Sequence, residues 1–255
     1  MKKIFIDAGH NNSGFNTGAA ANGLREQDIT FDVAQRLGRI LDEAGFETKL
    51  SRPTIETNLG TDNNSAVNAR WQMANVWGAD LFISIHVNAG GGTGAETLYF
   101  RPDSLNLAKT LQDVYSTEMG LRNRRVWQRD DVGVIKMTSC PSVLVETAFI
   151  DGPENPDVDA LRNRRGEMAA AIAKGLYAYM GFKPAATPIS APTTTATTPP
   201  QRFNTMAEMP DWARPTIEKM INSGLLRGDG VGLDLSADMV RTFVISDRAG
   251  LFDQK

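Results

Sequence analysis

A proline- and threonine-rich stretch divides the chain and limits what each part of it can fold into. It spans residues 183–201, KPAATPISAPTTTATTPPQ, and contains almost no large apolar side chains. Such a composition cannot bury enough surface to offset the entropy of ordering, and its prolines keep the backbone extended. The sequence therefore predicts an N-terminal domain over residues 1–182, a linker over 183–201 and a small C-terminal domain over 202–255.

Short apolar runs alternate with helical patterns through the N-terminal domain. Strands are predicted at residues 3–7, 46–51, 81–85, 97–100 and 142–146, and helices at 29–41, 66–77, 105–119 and 158–180. This alternation is typical of an α/β domain with a mostly parallel sheet flanked by helices. The C-terminal domain is predicted to be mainly helical, because apolar residues recur at helical spacing between Pro210 and Ser223.

The overall charge argues against a nucleic-acid partner. The net charge is -3, whereas phosphate binding depends on clustered cations. One basic run, Leu121–Arg129, is predicted to be a solvated loop or helix face, with a contact surface for an anionic polymer as the alternative. No apolar run reaches the roughly 18 residues that a membrane span requires.

The chain contains two histidines, and each follows a predicted strand. His10 follows KIFIDAG, His86 follows LFISI, and Glu146 ends a further strand, PSVLVE. Because sites in open α/β sheets gather at the carboxyl ends of strands, we expect these three side chains at one edge of the sheet. Taken singly, each residue is more often structural, so the prediction depends on their coincidence.

Glu26 lies just before a helix predicted to begin near Gln27 and can reach the same edge, although a capping role is its alternative. Two imidazoles and one carboxylate leave the fourth position of a tetrahedral Zn²⁺ open, as in catalytic zinc sites. Glu146 then fits the role of acid and base. With one cysteine and no G-x-S-x-G motif, a nucleophilic triad has little support.

Five segments match a known family in order and spacing. They are IFIDAGHNNSGFNTGAAANGLRE, the SRP that contains Arg52, NARWQMANVWGADLFISIHVNA, GAETLYF and CPSVLVETAFIDGPENPD, and together they cover nearly all of residues 1–182. In these segments the chain resembles the zinc-dependent N-acetylmuramoyl-L-alanine amidases of bacterial autolysins, sporulation lytic enzymes and phage endolysins.

The resemblance implies a substrate and a role for each site residue. It implies Zn²⁺ on His10, Glu26 and His86, with Glu146 as general acid and base, and hydrolysis of the peptidoglycan amide between N-acetylmuramic acid and L-alanine. One departure concerns Asn11 and Asn12, which follow the first histidine where many relatives have glycine-rich residues. This difference affects the expected loop shape and substrate fit more than metal binding.

The C-terminal segments PDWARPTIEKMINSGLLRGDG and LDLSADMVRTFVISDRAGLF resemble a single S-layer-homology-like module. This resemblance implies attachment to a secondary cell-wall polymer through residues 202–255. LSADMVR departs from the threonine–arginine motif of such modules. The alternative is a small dimerisation or stability module, which predicts a homo-oligomer.

The start of the sequence bears on localisation. Asp7 follows Ile4-Phe5-Ile6 directly, so no apolar segment of signal-peptide length is present. We therefore expect synthesis in the cytoplasm and release to the cell wall through a holin-type pore, as for a phage endolysin. A host autolysin or sporulation amidase, a zinc peptidase that cuts the stem peptide, and a non-catalytic wall-binding protein are the alternatives.

Overall fold

The chain divides into two compact units, Met1–Thr187 and Pro188–Lys255. The computed structural model describes residues 2–152, 156–184, 202–226, 233, 235–236, 240, 243–244 and 247. Apart from Lys183 and Pro184, the predicted linker lies outside the described residues, so the domain limits stay a prediction.

A six-stranded sheet forms the centre of the first unit. The strands of this unit are β1 (Lys3–Ala8), β2 (Ala20–Ala21), β3 (Leu24–Arg25), β4 (Glu47–Leu50), β5 (Leu81–Asn88), β6 (Ala95–Tyr99), β7 (Asn123–Gln128) and β8 (Ser142–Phe149). The order in the large sheet is β4-β1-β5-β8-β6-β7, and β2 pairs with β3 in a separate hairpin. All neighbours in the large sheet are parallel except β6 and β8, which are antiparallel.

Helices cover both faces of this sheet. They are α1 (Glu26–Glu43), α2 (Asn63–Trp77), α3 (Leu105–Met119), α4 (Gly133–Lys136), α5 (Pro156–Asn163) and α6 (Arg165–Met180). One core cluster joins Ile4 and Ile6 to apolar residues of α1, α3 and α6, and a second joins Phe5 to residues of α2 and α4. Because successive strand residues face opposite sides, β1 contributes to both cores. The predicted mostly parallel sheet flanked by helices is confirmed.

Two sequence predictions about secondary structure are wrong. The helix predicted at residues 158–180 is broken at Arg164, whose φ of -120° separates α5 from α6. The Arg164 guanidinium bonds the carbonyl of Met119 and the carboxylate of Glu167, so tertiary contacts hold the break. The basic run Leu121–Arg129 is neither a loop nor a helix face. It forms the edge strand β7, because its main chain pairs with β6 and Val126 packs against the core.

The second unit contains β9 (Arg202–Phe203), α7 (Arg214–Asn222) and β10 (Leu235–Ser236). Strands β9 and β10 are antiparallel, and the unit has its own apolar cluster around Phe203, Met209 and Ile217. The GDG segment at 228–230 and most of LSADMVR lie outside the described residues. No helix within the described part of the chain has the length and apolar character to cross a membrane.

The close packing of α3 against α6 gives a stability prediction. A Cβ added at Gly175 would lie 2.5 Å from Leu111 Cδ1 and 3.1 Å from Leu111 Cα. We therefore expect Gly175→Ala to destabilise the protein by about 1–3 kcal/mol through overpacking, despite the higher helix propensity of alanine. Urea unfolding measures this change.

Gly166 is the matched control in the same helix. Its added Cβ would meet only Arg36 Nη1, at 3.6 Å. Gly166→Ala should therefore be neutral or stabilising by about 0.5 kcal/mol. Equal effects of the two substitutions would contradict the packing argument.

Candidate metal site

His10, Glu26 and His86 lie together at the carboxyl ends of β1 and β5. His10 Nε2 and His86 Nδ1 are each 3.1 Å from the same oxygen, Glu26 Oε1. One potential ligand atom from each residue falls within 4.8 Å of the others. The structure thus brings together the three residues that the sequence selected, and their role as metal ligands stays a prediction.

The loop after β1 orients the His10 ring. His10 has a left-handed backbone with a φ of 66°, and its Nδ1 lies 3.3 Å from the carbonyl oxygen of Asn16. A carbonyl can only accept a hydrogen bond, so Nδ1 carries the proton and Nε2 keeps its lone pair. That lone pair is directed at Glu26 Oε1, another acceptor, and a cation between them would satisfy both atoms.

Glu26 is the first residue of α1, one position earlier than the predicted start near Gln27. Its Oε2 accepts from the Ala19 amide at 2.9 Å, and its Oε1 accepts from the Val87 amide at 2.9 Å. These bonds reach outside the helix, so the carboxylate does not cap α1. Burial opposes ionisation, but the adjacent imidazoles of His10 and His86 hold the pKa of Glu26 well below its usual range.

His86 lies near the end of β5, with its carbonyl oxygen bonded by Thr147 Oγ1 at 2.8 Å. Desolvation lowers the pKa of His86, although the neighbouring Glu26 carboxylate opposes that shift. The neutral imidazole that results is the form that binds metals.

Two glycines make room for the cluster. A Cβ at Gly9 would lie 2.6 Å from His86 Nε2, and a Cβ at Gly18 would lie 2.6 Å from Glu26 Oε2 and 2.8 Å from His10 Cδ2. Any larger residue at these positions would displace a candidate ligand. Two imidazole nitrogens and one carboxylate oxygen in this cradle are the donor set of a catalytic zinc site, so the residues fit Zn²⁺.

Glu146 adjoins the cluster on β8. It is the direct register partner of His86 on one side and of Glu96 on the other. Its Oε2 is buried and has no hydrogen-bond partner among the described residues. Burial first, and then the charges of Glu26 and Glu96, raise the pKa of Glu146 to about 8. This carboxyl group can therefore hold or release a proton near neutral pH.

Arg70 of α2 supports the loop that carries His10. Its Nη1 donates to Asp7 Oδ1 and to the Ala8 carbonyl, both at 2.6 Å, and its Nη2 donates to the His10 carbonyl at 2.7 Å. Nη2 also lies 3.3 Å from Asn11 Oδ1. Arg70 is 2% exposed and Asp7 is fully buried. One buried guanidinium therefore bonds both to β1 and to His10, which lies just after it.

Asn11 fastens the same loop from the other side. It is fully buried, its Nδ2 donates to the Leu59 carbonyl, and its Oδ1 accepts from the Leu59 amide, both at 3.0 Å. Asn11, which stands where many relatives have glycine, therefore fixes this loop to Leu59 through two hydrogen bonds.

The role of Arg70 was not predicted from the sequence, although the sequence contains a signal for it. Ala66, Arg70 and Ala74 share one buried face of α2 at a spacing of four residues. An arginine between two alanines on an apolar helix face implies a buried ionic partner. Asp7 of β1 is that partner.

Comparisons with known proteins agree with this geometry. Residues 4–178 match a family model described as N-acetylmuramoyl-L-alanine amidase. The chain is 35% identical over 181 residues to the amidase CwlM of Bacillus licheniformis, covering 69% of this chain and 66% of CwlM. It is 31% identical over 193 residues to the endolysin of Bacillus phage SPP1, covering 71% of this chain and 67% of the endolysin.

A solved structure shows the same fold. The catalytic domain of the amidase CwlV from Bacillus (Paenibacillus) polymyxa var. colistinus superposes with a TM-score of 0.63 at 26% identity. The superposition covers 72% of this chain and 100% of that domain. The chain thus contains the whole of that domain's fold, and it spans less than two thirds of the length of the B. licheniformis relative.

The Arg70 network gives a prediction about metal binding. Arg70→Lys keeps the positive charge but loses the planar fork that reaches both Asp7 and the His10 carbonyl. We expect zinc affinity, measured by chelator competition, to fall about 10- to 100-fold, because outer-shell support of metal ligands is typically worth that much.

Arg164→Lys is the matched control, since Arg164 also bridges a carboxylate and a main-chain carbonyl but lies at the α5–α6 junction. Its zinc affinity should equal that of the unchanged protein. A folded Arg70→Lys variant with unchanged zinc affinity would contradict the positioning role.

Proposed function

The chain belongs to the N-acetylmuramoyl-L-alanine amidase family, and we propose that it is a zinc-dependent hydrolase of peptidoglycan. The bond cut is the amide between N-acetylmuramic acid and the L-alanine of the stem peptide. The observation that carries this proposal is the convergence of His10, Glu26 and His86 beside a buried carboxyl group, Glu146, whose Oε2 is unpartnered among the described residues.

His10 Nε2, His86 Nδ1 and the Glu26 carboxylate would hold Zn²⁺. When bound, Zn²⁺ supplies a Lewis acid that polarises the amide carbonyl and promotes the ionisation of water. The protein fixes these donors through main-chain groups: Asn16 orients His10, and the amides of Ala19 and Val87 hold Glu26. The site is therefore organised before substrate arrives.

Glu146 carries the proton steps in this proposal. Its carboxylate accepts a proton from the attacking water and then delivers it to the nitrogen of the leaving L-alanine. Burial and the neighbouring carboxylates raise its pKa to about 8, which keeps proton transfer in both directions accessible near neutral pH. Amide hydrolysis needs both transfers, since the leaving amine must be protonated as the bond breaks.

The biological role that we propose for this amidase is that of a phage endolysin. It is supported by the 31% identity to the phage SPP1 endolysin over 193 residues. A host autolysin or sporulation amidase is the alternative, because a bacterial amidase is 35% identical over 181 residues. Expression in a susceptible host with and without a co-expressed holin tests this role, and lysis that needs no pore would contradict it.

Substitution of Glu146 tests the proposed catalysis. Glu146→Gln removes the proton acceptor with little change in volume, so kcat for wall hydrolysis should fall about 10²- to 10⁴-fold. Zinc content should be unchanged, because Glu146 is not in the ligand cluster. Turbidity loss of purified cell walls and metal analysis measure the two quantities.

Glu43→Gln, on the exposed end of α1, is the control and should retain full activity. Full lytic activity of Glu146→Gln would refute the assigned role. Product analysis separates the alternatives: an amidase creates new amino-terminal alanine, whereas a stem-peptide peptidase creates other amino termini. A non-catalytic wall-binding protein would release neither product.

The second unit is proposed to attach the enzyme to a secondary cell-wall polymer. Its support is the sequence resemblance over residues 202–255 and a separate apolar cluster within Pro188–Lys255. Deletion of residues 183–255 should leave hydrolysis of soluble muramoyl peptides unchanged and weaken binding to intact walls in a co-sedimentation assay.

Two outcomes would redirect this proposal. Unchanged wall binding by the truncated chain would remove the anchoring function. A change from dimer to monomer on truncation, with unchanged wall binding, would favour the dimerisation alternative.

A further inference from the structure

Strand β7 contains an irregularity in the same sheet as the candidate metal site. Ala95 of β6 pairs with Asn123 and Thr97 pairs with Val126, so two residues of β7, Arg124 and Arg125, face the one residue between them. That residue is Glu96. Bulges of this kind redirect side chains and are frequent next to active sites.

The bulge lies in the same row of the sheet as the proposed acid and base. His86 pairs with Glu146, Glu146 pairs with Glu96, and Glu96 faces the two bulged arginines. Neighbouring strands are about 4.8 Å apart, so the backbone of Arg125 lies roughly 10 Å from that of Glu146. A substrate bound at Glu146 can reach Arg125 with about three extended residues.

The two bulged arginines have different surroundings. Arg124 Nε donates to Glu96 Oε2 at 2.9 Å, and the guanidinium lies over the Phe149 ring at 4.9 Å. Asn88 donates to the other oxygen of Glu96 at 2.8 Å. The charge of Arg124 is therefore already used to fix Glu96.

The charge of Arg125 is not paired in this way. Its side chain is exposed and forms no ion pair or hydrogen bond with the described residues. Its backbone is left-handed, with a φ of 74°, and its amide donates to Asn123 Oδ1 at 2.8 Å. Residues other than glycine disfavour this conformation, and strained positions of this kind cluster at functional sites.

An exposed aromatic ring accompanies Arg125. Trp127 is 52% exposed and pairs with Leu98, which in turn pairs with Leu144, two residues before Glu146. Side chains alternate along a strand, so Trp127 lies on the face of the sheet that carries Glu146. An exposed arginine and an exposed aromatic residue thus lie two positions apart on β7.

We propose that Arg125 binds a carboxylate of the stem peptide within three residues of the scissile amide, with Trp127 packing against the same peptide. The inference rests on the proposed amidase function and names a substrate-binding residue for it. A guanidinium matches a carboxylate with two parallel hydrogen bonds, and Arg125 is the bulged arginine whose charge is not already paired with Glu96.

Two substrates that differ only in the charge of their carboxyl groups test this inference. They are an N-acetylmuramoyl tripeptide with free side-chain and terminal carboxylates and the same tripeptide with those groups amidated. Arg125→Gln should raise KM for the acidic peptide about 10-fold, the effect of one lost charge-assisted hydrogen bond, and leave kcat within twofold. KM for the amidated peptide should stay within twofold of that of the unchanged enzyme.

Two further variants make the comparison specific. Arg125→Lys keeps the charge without the planar fork and should recover part of the preference for the acidic peptide. Arg39→Gln, which removes an exposed arginine near the far end of α1, should change neither KM. Thermal unfolding of each variant checks that it is folded.

The possible failures are distinguishable. If the unchanged enzyme cleaves neither peptide, the proposed function fails and the inference falls with it. If it cleaves both and Arg125→Gln affects them equally or not at all, only the inference is overturned. Inhibition by inorganic phosphate that Arg125→Gln abolishes, without any difference between the peptides, would assign Arg125 to a phosphate-bearing wall polymer and also overturn it.

Discussion

The carboxylate of Glu26 is the point on which the site depends. Its Oε1 lies 3.1 Å from His10 Nε2 and 3.1 Å from His86 Nδ1, so one oxygen joins residues that follow two different strands. The start of α1 places this carboxylate between β1 and β5, and the amides of Ala19 and Val87 keep it there. Without Glu26, the two imidazoles would have no common partner.

The rest of the first unit holds that arrangement in place. The Thr30 hydroxyl of α1 donates to the Gly9 carbonyl at 2.7 Å, and Arg70 of α2 donates to the His10 carbonyl at 2.7 Å. Helices on opposite faces of the sheet thus fix the two residues that follow β1. A buried ion pair such as Arg70–Asp7 contributes little net stability but penalises any other arrangement of its partners.

The sequence was sufficient for the parts of the site that obey a general rule of the fold. Parallel strands end at one edge of a sheet, so the proximity of strand-end residues such as His10 and His86 can be predicted from the sequence. The predicted start of α1 near Gln27 differs by one residue from the observed start, which is Glu26 itself. The carboxylate was therefore placed on the correct edge before its contacts were known.

The features that were missed depend on tertiary contacts. Strand β7 is rich in arginine, and its identity as a strand comes from pairing with β6. The break at Arg164 contains no proline and is held by contacts to Met119 and Glu167. The left-handed backbone at Arg125 follows from a bulge, and no local sequence pattern specifies the register of two strands.

Metal content of the purified, untagged protein tests the central claim most directly. The account predicts one Zn²⁺ per chain, loss of wall hydrolysis in excess EDTA, and recovery when zinc is added back. A well-folded, metal-free protein that hydrolyses cell walls at full rate in excess EDTA would contradict it.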